Sequence, residues 1–170
     1  MKVSKWMVLV VCLVAFSVLI AGCGKKKPGT SPGQDPEPTP PTELEINIGE
    51  ELDTLQTLKT QGLPVKHKGF TFNGDKIDFD SNTKELDGVT YTGRFKTGGT
   101  GNSQGNNGVS FNAKKDDTLT VLAMSASTSG TGRHLMVAPV GGVGYNLGEV
   151  HTTQLEAFTY KIPADGQYVL

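Results

Sequence analysis

Val89-Thr90-Tyr91-Thr92-Gly93-Arg94-Phe95-Lys96 alternates large apolar and polar residues. Successive side chains of a strand point to opposite faces. The stretch therefore predicts a half-buried strand, with Val89, Tyr91 and Phe95 inside and Thr90, Thr92, Arg94 and Lys96 outside. The same texture continues in both directions. Phe158 to Ile162 alternates again. Thr118 to Met124 is a continuous β-prone run and predicts a central strand covered on both faces. Gly69–Asn73, Lys76–Asp80, Val109–Ala113 and Leu135–Ala138 complete the expected strands.

Turn residues separate these runs. Asn73-Gly74-Asp75 predicts a tight hairpin joining Phe70-Thr71-Phe72 to Ile77-Asp78-Phe79. Asp87-Gly88, Lys114 to Asp117, Ser125 to Gly132 and Ala164-Asp165-Gly166 are further turns. Leu52, Leu55 and Leu58 recur at threes, which predicts one short helical turn within Glu50 to Lys59. Strands at this spacing predict an all-β domain over residues 44–170, a jelly-roll-like antiparallel β-sandwich. Gly166 to Leu170 reads as the middle of an apolar strand. The sandwich is therefore expected to lack its last strand, as in a C-terminally truncated domain.

Ahead of the domain the composition changes twice. Lys2 and Lys5 precede an apolar run from Trp6 to Ala21 broken only by Ser17. This is the order of a secretory signal peptide. Leu19-Ile20-Ala21-Gly22-Cys23 resembles the bacterial lipobox, which implies cleavage after residue 22 and a diacylglycerol, then palmitate, on Cys23. A membrane-spanning helix is the competing reading, but it needs roughly 20 apolar residues, more than this run has. Two acyl chains suffice for stable anchoring. Residues 23–43 then form a linker. Six of the nine prolines lie between Gly24 and Thr42, without a large apolar residue. An extended polyproline II tether of about 3.1 Å per residue follows from that composition. The expected location is the outer face of a bacterial cell membrane, with the membrane as a partner through the lipid.

Composition excludes several chemistries. Loss of residues 1–22 removes two of the 16 cations and none of the 17 anions, leaving a charge of about −3. That balance does not suit nucleic acid. Cys12 would leave with the leader and Cys23 would carry lipid, so no thiol remains for a disulfide, a zinc site or a nucleophile. His67, His134 and His151 have no adjacent nucleophile and carboxylate. No carboxylate pair marks a glycosidase, and no Gly-x-Ser-x-Gly elbow occurs. An enzyme is not expected. Gly98 to Gly105 lacks the Gly-Lys-Ser/Thr ending of a phosphate loop and is followed by a strand, so a long mobile loop is expected. Asp78, Asp80 and Asn82 alternate as calcium ligands do. However, Thr83 stands where the turn glycine belongs, and Val89 stands in place of the bidentate glutamate. Calcium is the weaker reading there, and no cofactor is expected.

Several segments are similar, in order, to noncatalytic β-sandwich modules joined to bacterial pectate lyases and related polysaccharide-degrading enzymes. They are Asp87 to Gly99, with its Lys96-Thr97-Gly98-Gly99 loop, Val109-Ser110-Phe111, Thr118 to Ala123, Arg133-His134-Leu135 and Ile162 to Tyr168. The resemblance covers most of Gly69 to Leu170. It implies a noncatalytic carbohydrate-binding module, and in such modules a further turn and a last strand follow the Gly-x-Tyr. Candidate ligand residues are Tyr91, Arg94, Lys96, Arg133 and Tyr145, with Tyr160 as a further aromatic. The only tryptophan, Trp6, lies in the leader. Arg94 and Lys96 on one polar face would suit an acidic polysaccharide such as pectin. The alternative for Arg94 and Arg133 is structural pairing with carboxylates across strands. At the level of function, the alternatives are a structural or protein-interaction module, or the front of a larger surface lipoprotein or polysaccharide lyase. A solute receptor is disfavoured because the domain is too small for two lobes.

Overall fold

Most of the alternating stretches do become strands, and they pair into two antiparallel sheets. The computed structural model describes residues 7–12, 44–125, 133–151 and 154–170. In chain order the strands are β1 (Met7–Cys12), β2 (Val65–His67), β3 (Phe70–Asn73), β4 (Ile77–Leu86), β5 (Val89–Thr97) and β6 (Gly108–Ala113). They continue with β7 (Thr118–Ser125), β8 (His134–Pro139), β9 (Tyr145–Glu149), β10 (Glu156–Lys161) and β11 (Gly166–Val169). A helix, α1, spans Leu52–Gln61. One sheet has the order β10-β7-β1-β5-β4 and the other β2-β3-β6-β11-β8-β9. The fold is an all-β sandwich.

Aromatic residues fill the space between the sheets. Phe70, Phe72 and Phe111 of the six-stranded sheet and Phe79 and Phe95 of the five-stranded sheet are all essentially fully buried. Phe72 lies 5.0 Å from Phe95, and Phe70 lies 6.1 Å from Phe111. Phe111 stacks on Tyr168 at 6.3 Å. The Tyr168 hydroxyl donates to the Ala164 carbonyl at 2.8 Å, which fixes the last turn while the ring stays inside. β7 is central, as its composition predicts. Leu119, Val121 and Ala123 enter this core, while Leu122 and Met124 are buried on the opposite face with Leu155.

Two expectations are corrected. Asn73-Gly74-Asp75 is not a hairpin turn. β3 pairs with β2 and β6, whereas β4 pairs with β5 in the other sheet. The connection crosses the sandwich, so the inward phenylalanines of the two strands face one another instead of lying side by side. Gly74, at φ +126°, makes this crossing against Asn107; a Cβ there would fall 2.4 Å from the Asn107 side chain. The second correction concerns Val89, which is 51% exposed. β1 flanks β5 only from Phe95 to Thr97. Among the described residues, no strand beyond β4 and β5 therefore flanks the Asp87-Gly88 tip of their hairpin.

The leucine spacing gives a full ten-residue helix, longer than a single turn. Leu55 is completely buried and Leu52 and Leu58 pack against the core. Gln56 Nε2 donates to the Phe79 carbonyl at 3.0 Å, tying the helix to β4. Before it, Ile46 and Ile48 are buried, and Gly49 crosses closely over Gly93. A Cβ on Gly93 would stand 2.6 Å from the Gly49 Cα, so only glycine allows the two backbones to approach.

The apolar N-terminal run contributes β1. Met7–Cys12 lies between β5 and β7, antiparallel to both, pairing Met7 with Thr97 on one side and Met7 with Ser125 on the other. Cys23 and the Pro-rich linker lie outside the described residues. Among the described residues no helix is long and apolar enough to cross a membrane.

Candidate functional site

The β4–β5 pairing places Asp78 opposite Lys96 and Asp80 opposite Arg94. Side chains directly opposite on one face of an antiparallel pair are neighbours, and these four form a charge network. Arg94 donates through Nε to Asp80 Oδ1 and through Nη2 to Asp80 Oδ2, the latter at 3.0 Å. Lys96 Nζ lies 2.5 Å from Asp80 Oδ2 and 3.0 Å from Asp78 Oδ2. Lys59 of α1 completes the set, 2.8 Å from Asp78 Oδ1. Burial pushes both aspartates up, but the hydrogen bonds outweigh it. Those from Lys59 and Lys96 hold Asp78, and those from Arg94 and Lys96 hold Asp80, below the ordinary value of 3.8.

This network engages two of the candidates, Arg94 and Lys96. Lys96 is a buried cation, its side chain 8% exposed, rather than a solvent-facing one. Arg94 is turned onto Asp80. Their geometry is the structural pairing with carboxylates across strands. The calcium reading meets the same obstacle, because Asp78 and Asp80 already face three cations that would repel a divalent ion. Asn82, the third candidate ligand, sits at the irregularity between Ser81 and Lys84. Its Oδ1 is buried, with no hydrogen-bond partner among the described residues. Among the described residues no three His, Cys, Asp or Glu side chains are grouped to hold a metal.

Tyr91 is half-buried and packs with Leu86 against Leu122, Met124 and Leu155. Leu86 and Leu155 also line an open groove whose rim carries Glu85, Asp87, Gln154 and Glu156. Arg133 precedes β8, and its carbonyl accepts from Val150 N–H at 2.9 Å. Arg94 and Lys96 turn onto the aspartates of β4 in the five-stranded sheet, whereas Tyr145 stands on β9 of the six-stranded sheet.

Tyr145 is where an exposed aromatic surface forms. It starts β9, the edge strand of the six-stranded sheet, paired with Val137 of β8. Tyr160 belongs to β10, the edge of the five-stranded sheet. The two rings meet at 5.0 Å, tilted by 38°, across the open side of the sandwich. Tyr145 remains 57% exposed, while Tyr160 is half-buried. Burial pushes the Tyr160 phenol above its ordinary value, with Tyr168 and Tyr145 adding to the shift. Close approach of the two edges is made possible at Gly148, where a Cβ would lie 2.8 Å from the Phe158 ring. Val143, 90% exposed, and Met136 and Val140 also lie exposed on the β8–β9 hairpin. Sequence reasoning singled out Tyr145 but missed these three, since an apolar residue next to Gly141 and Gly142 carries no sign of exposure.

The histidines are engaged in local pairs. His67 Nε2 lies 2.8 Å from Glu51, His134 Nδ1 lies 3.1 Å from Asn146, and His151 Nδ1 lies 2.7 Å from Glu156. The Gly98–Gly105 loop is organised around Asn102, whose side-chain oxygen accepts from the Gln104 and Asn106 backbones at 3.1 and 3.0 Å. It is a loop between β5 and β6, as expected, with these bonds inside it.

No protein-family model matches the chain, and no curated protein matches it.

Proposed function

We propose that this chain is a lipid-anchored, noncatalytic module that holds polysaccharide at the outer face of a bacterial membrane. The observation that carries the binding half is the exposed Tyr145 ring supported by Tyr160. Sugar rings present C–H faces that pack on aromatic rings, and a ring already braced by a second one loses little freedom on binding. Gly141, Gly142 and Gly144, which precede β9, carry no side chains of their own. The lipobox-like Leu19 to Cys23 supports the anchor, and the proline-rich linker supports a stalk.

Arg94 and Lys96 are committed to Asp78 and Asp80, so the proposed ligand is recognised through its apolar sugar face rather than by charge from β5. Native gels cast with polygalacturonate or with neutral glucans test the proposal. At least one polymer is expected to retard the folded protein, and Tyr145→Ala should abolish the retardation. A folded protein that migrates freely through every polymer would sink the reading.

A further inference from the structure

Two uncharged segments meet at the turn that leads into Tyr145. Thr97 to Ala113 and Leu135 to Gly148 contain no Asp, Glu, Lys or Arg, although 19% of the chain is charged. They are joined where the Gly141 N–H donates to the Ser103 carbonyl at 2.7 Å. The Val140 N–H donates to the Gln167 carbonyl at 2.9 Å and fixes the same turn on β11. Gly141 stands four residues before Tyr145, at most about 14 Å along the chain. A polymer of a few sugars covers that span.

The loop from β5 to β6 offers what sugar hydroxyls bond to. Asn102, Gln104 and Asn106 are exposed, and an amide side chain supplies two N–H donors and a carbonyl acceptor. Their backbone is already set. Asn102 Oδ1 accepts from the N–H groups of Gln104 and Asn106 at 3.1 and 3.0 Å. The Asn102 N–H donates to the Asn106 carbonyl at 3.1 Å, and the Gly105 N–H to the Asn102 carbonyl at 3.0 Å. Asn107 holds the end of the loop, its side chain accepting from the Lys76 N–H and donating to the Thr100 carbonyl, both at 3.4 Å. A loop fixed in this way loses little freedom on binding.

The same surface is unsuited to a charged polymer. A uronate carboxylate drawn onto Tyr145 would give up water and meet no cation from either segment, and an unpaired charge is costly to desolvate. Arg94 and Lys96 are held by Asp78 and Asp80. Burial and the neighbouring tyrosines raise the Tyr160 phenol, where a nearby cation would lower it. Hydroxyls need only the amides.

We propose, on the reading of Tyr145 as a sugar-stacking ring, that the ligand is a neutral polysaccharide. Its ring faces lie on Tyr145, and its hydroxyls bond to Gln104 and Asn106 of the loop joined to the same turn.

Frontal chromatography of the folded full chain tests this on immobilised polygalacturonate, on the same polymer with its carboxyls methyl-esterified, and on neutral glucans. Each column is run at low and at raised salt. At least one neutral polymer should retain the chain to an extent that salt does not change, because screening acts on charges, and polygalacturonate should not retain it. Gln104→Ala combined with Asn106→Ala should weaken the retention at least about fivefold, the scale of one net hydrogen bond, at an unchanged melting temperature. Retention by polygalacturonate, or retention that salt abolishes, would overturn the neutral ligand and leave the aromatic reading of Tyr145 standing. Undiminished retention of the double variant would also overturn it, by removing the loop from the site. A chain retained by no polymer removes the sugar-binding reading of Tyr145 itself, and the neutral ligand with it.

Discussion

Phe72 of the six-stranded sheet meets Phe79 of the five-stranded sheet edge to face, with ring centroids 5.1 Å apart and planes at 81°. The pair joins two strands that are neighbours in sequence and lie in opposite sheets. Edge-to-face pairs contribute beyond their buried area, and the surrounding rings leave little room to collapse around a void. Phe72→Ala should lower unfolding free energy by about 3–5 kcal/mol. Urea titration checks this, with the midpoint falling and the slope unchanged.

Asp80 neutralises Lys96, whose side chain is 8% exposed. Removing one partner of a buried pair leaves the other charge uncompensated. Lys96 keeps Asp78 at 3.0 Å, so the loss is partial, and Asp80→Asn should destabilise by about 2–3 kcal/mol. Lys96→Met together with Asp80→Asn should recover part of that, because an apolar stem replaces a charge needing a partner. Chemical denaturation of the two variants compares them directly.

Asp78 and Asp80 also set an acid limit. Both carboxyls sit below their ordinary value of 3.8 in the folded state. The stability they contribute is full above pH 3.8, the unfolded-state value, and is lost as pH falls from there through the folded-state value. Melting temperature should therefore drop on acidification below that point, and less steeply in Asp80→Asn. A parallel decline in both proteins would remove the network as its cause.

Gly93 admits the backbone of Gly49 with no space for a side chain. The obstructing atoms are main chain, which cannot swing aside as a rotamer does. Gly93→Ala should cost about 1–3 kcal/mol by overpacking, although alanine is otherwise acceptable in a strand. Thermal melts are sufficient to see it.

Glu156 to Lys161 is legible because side-chain burial follows the period of two, and Thr118 to Ser125 because an unbroken β-prone run marks a strand buried on both faces. Phe158 and Tyr160 point inward, while Thr159 and Lys161 are exposed. The crossing at Gly74 is not legible, because a glycine turn specifies local backbone and not which sheet the next strand joins. Lys96 misleads for a related reason. A polar residue in an alternating strand reads as solvent-facing until Asp78, Asp80 and Lys59 are placed around it, and Lys59 comes from a helix 37 positions earlier. At the candidate site Tyr145 is identifiable as an aromatic without a core role. Its contact with Tyr160 depends on two sheet edges meeting, which no local pattern encodes.

Tyr145→Ala separates binding from folding. The ring is more than half exposed, so its removal forfeits chiefly the contact with Tyr160, about 0.5–1.5 kcal/mol. The fold should survive with a melting temperature lowered by only a few degrees. Polysaccharide retention should nonetheless be lost, since no second exposed ring replaces it on the β8–β9 hairpin. Tyr145→Phe removes only the hydroxyl and should keep most of the retention, because stacking needs the ring face. Tyr160→Phe should behave likewise, its ring still bracing Tyr145. Binding that persists unchanged in Tyr145→Ala would move the ligand away from this edge, and the groove beside Leu86 and Leu155 would become the surface to mutate next.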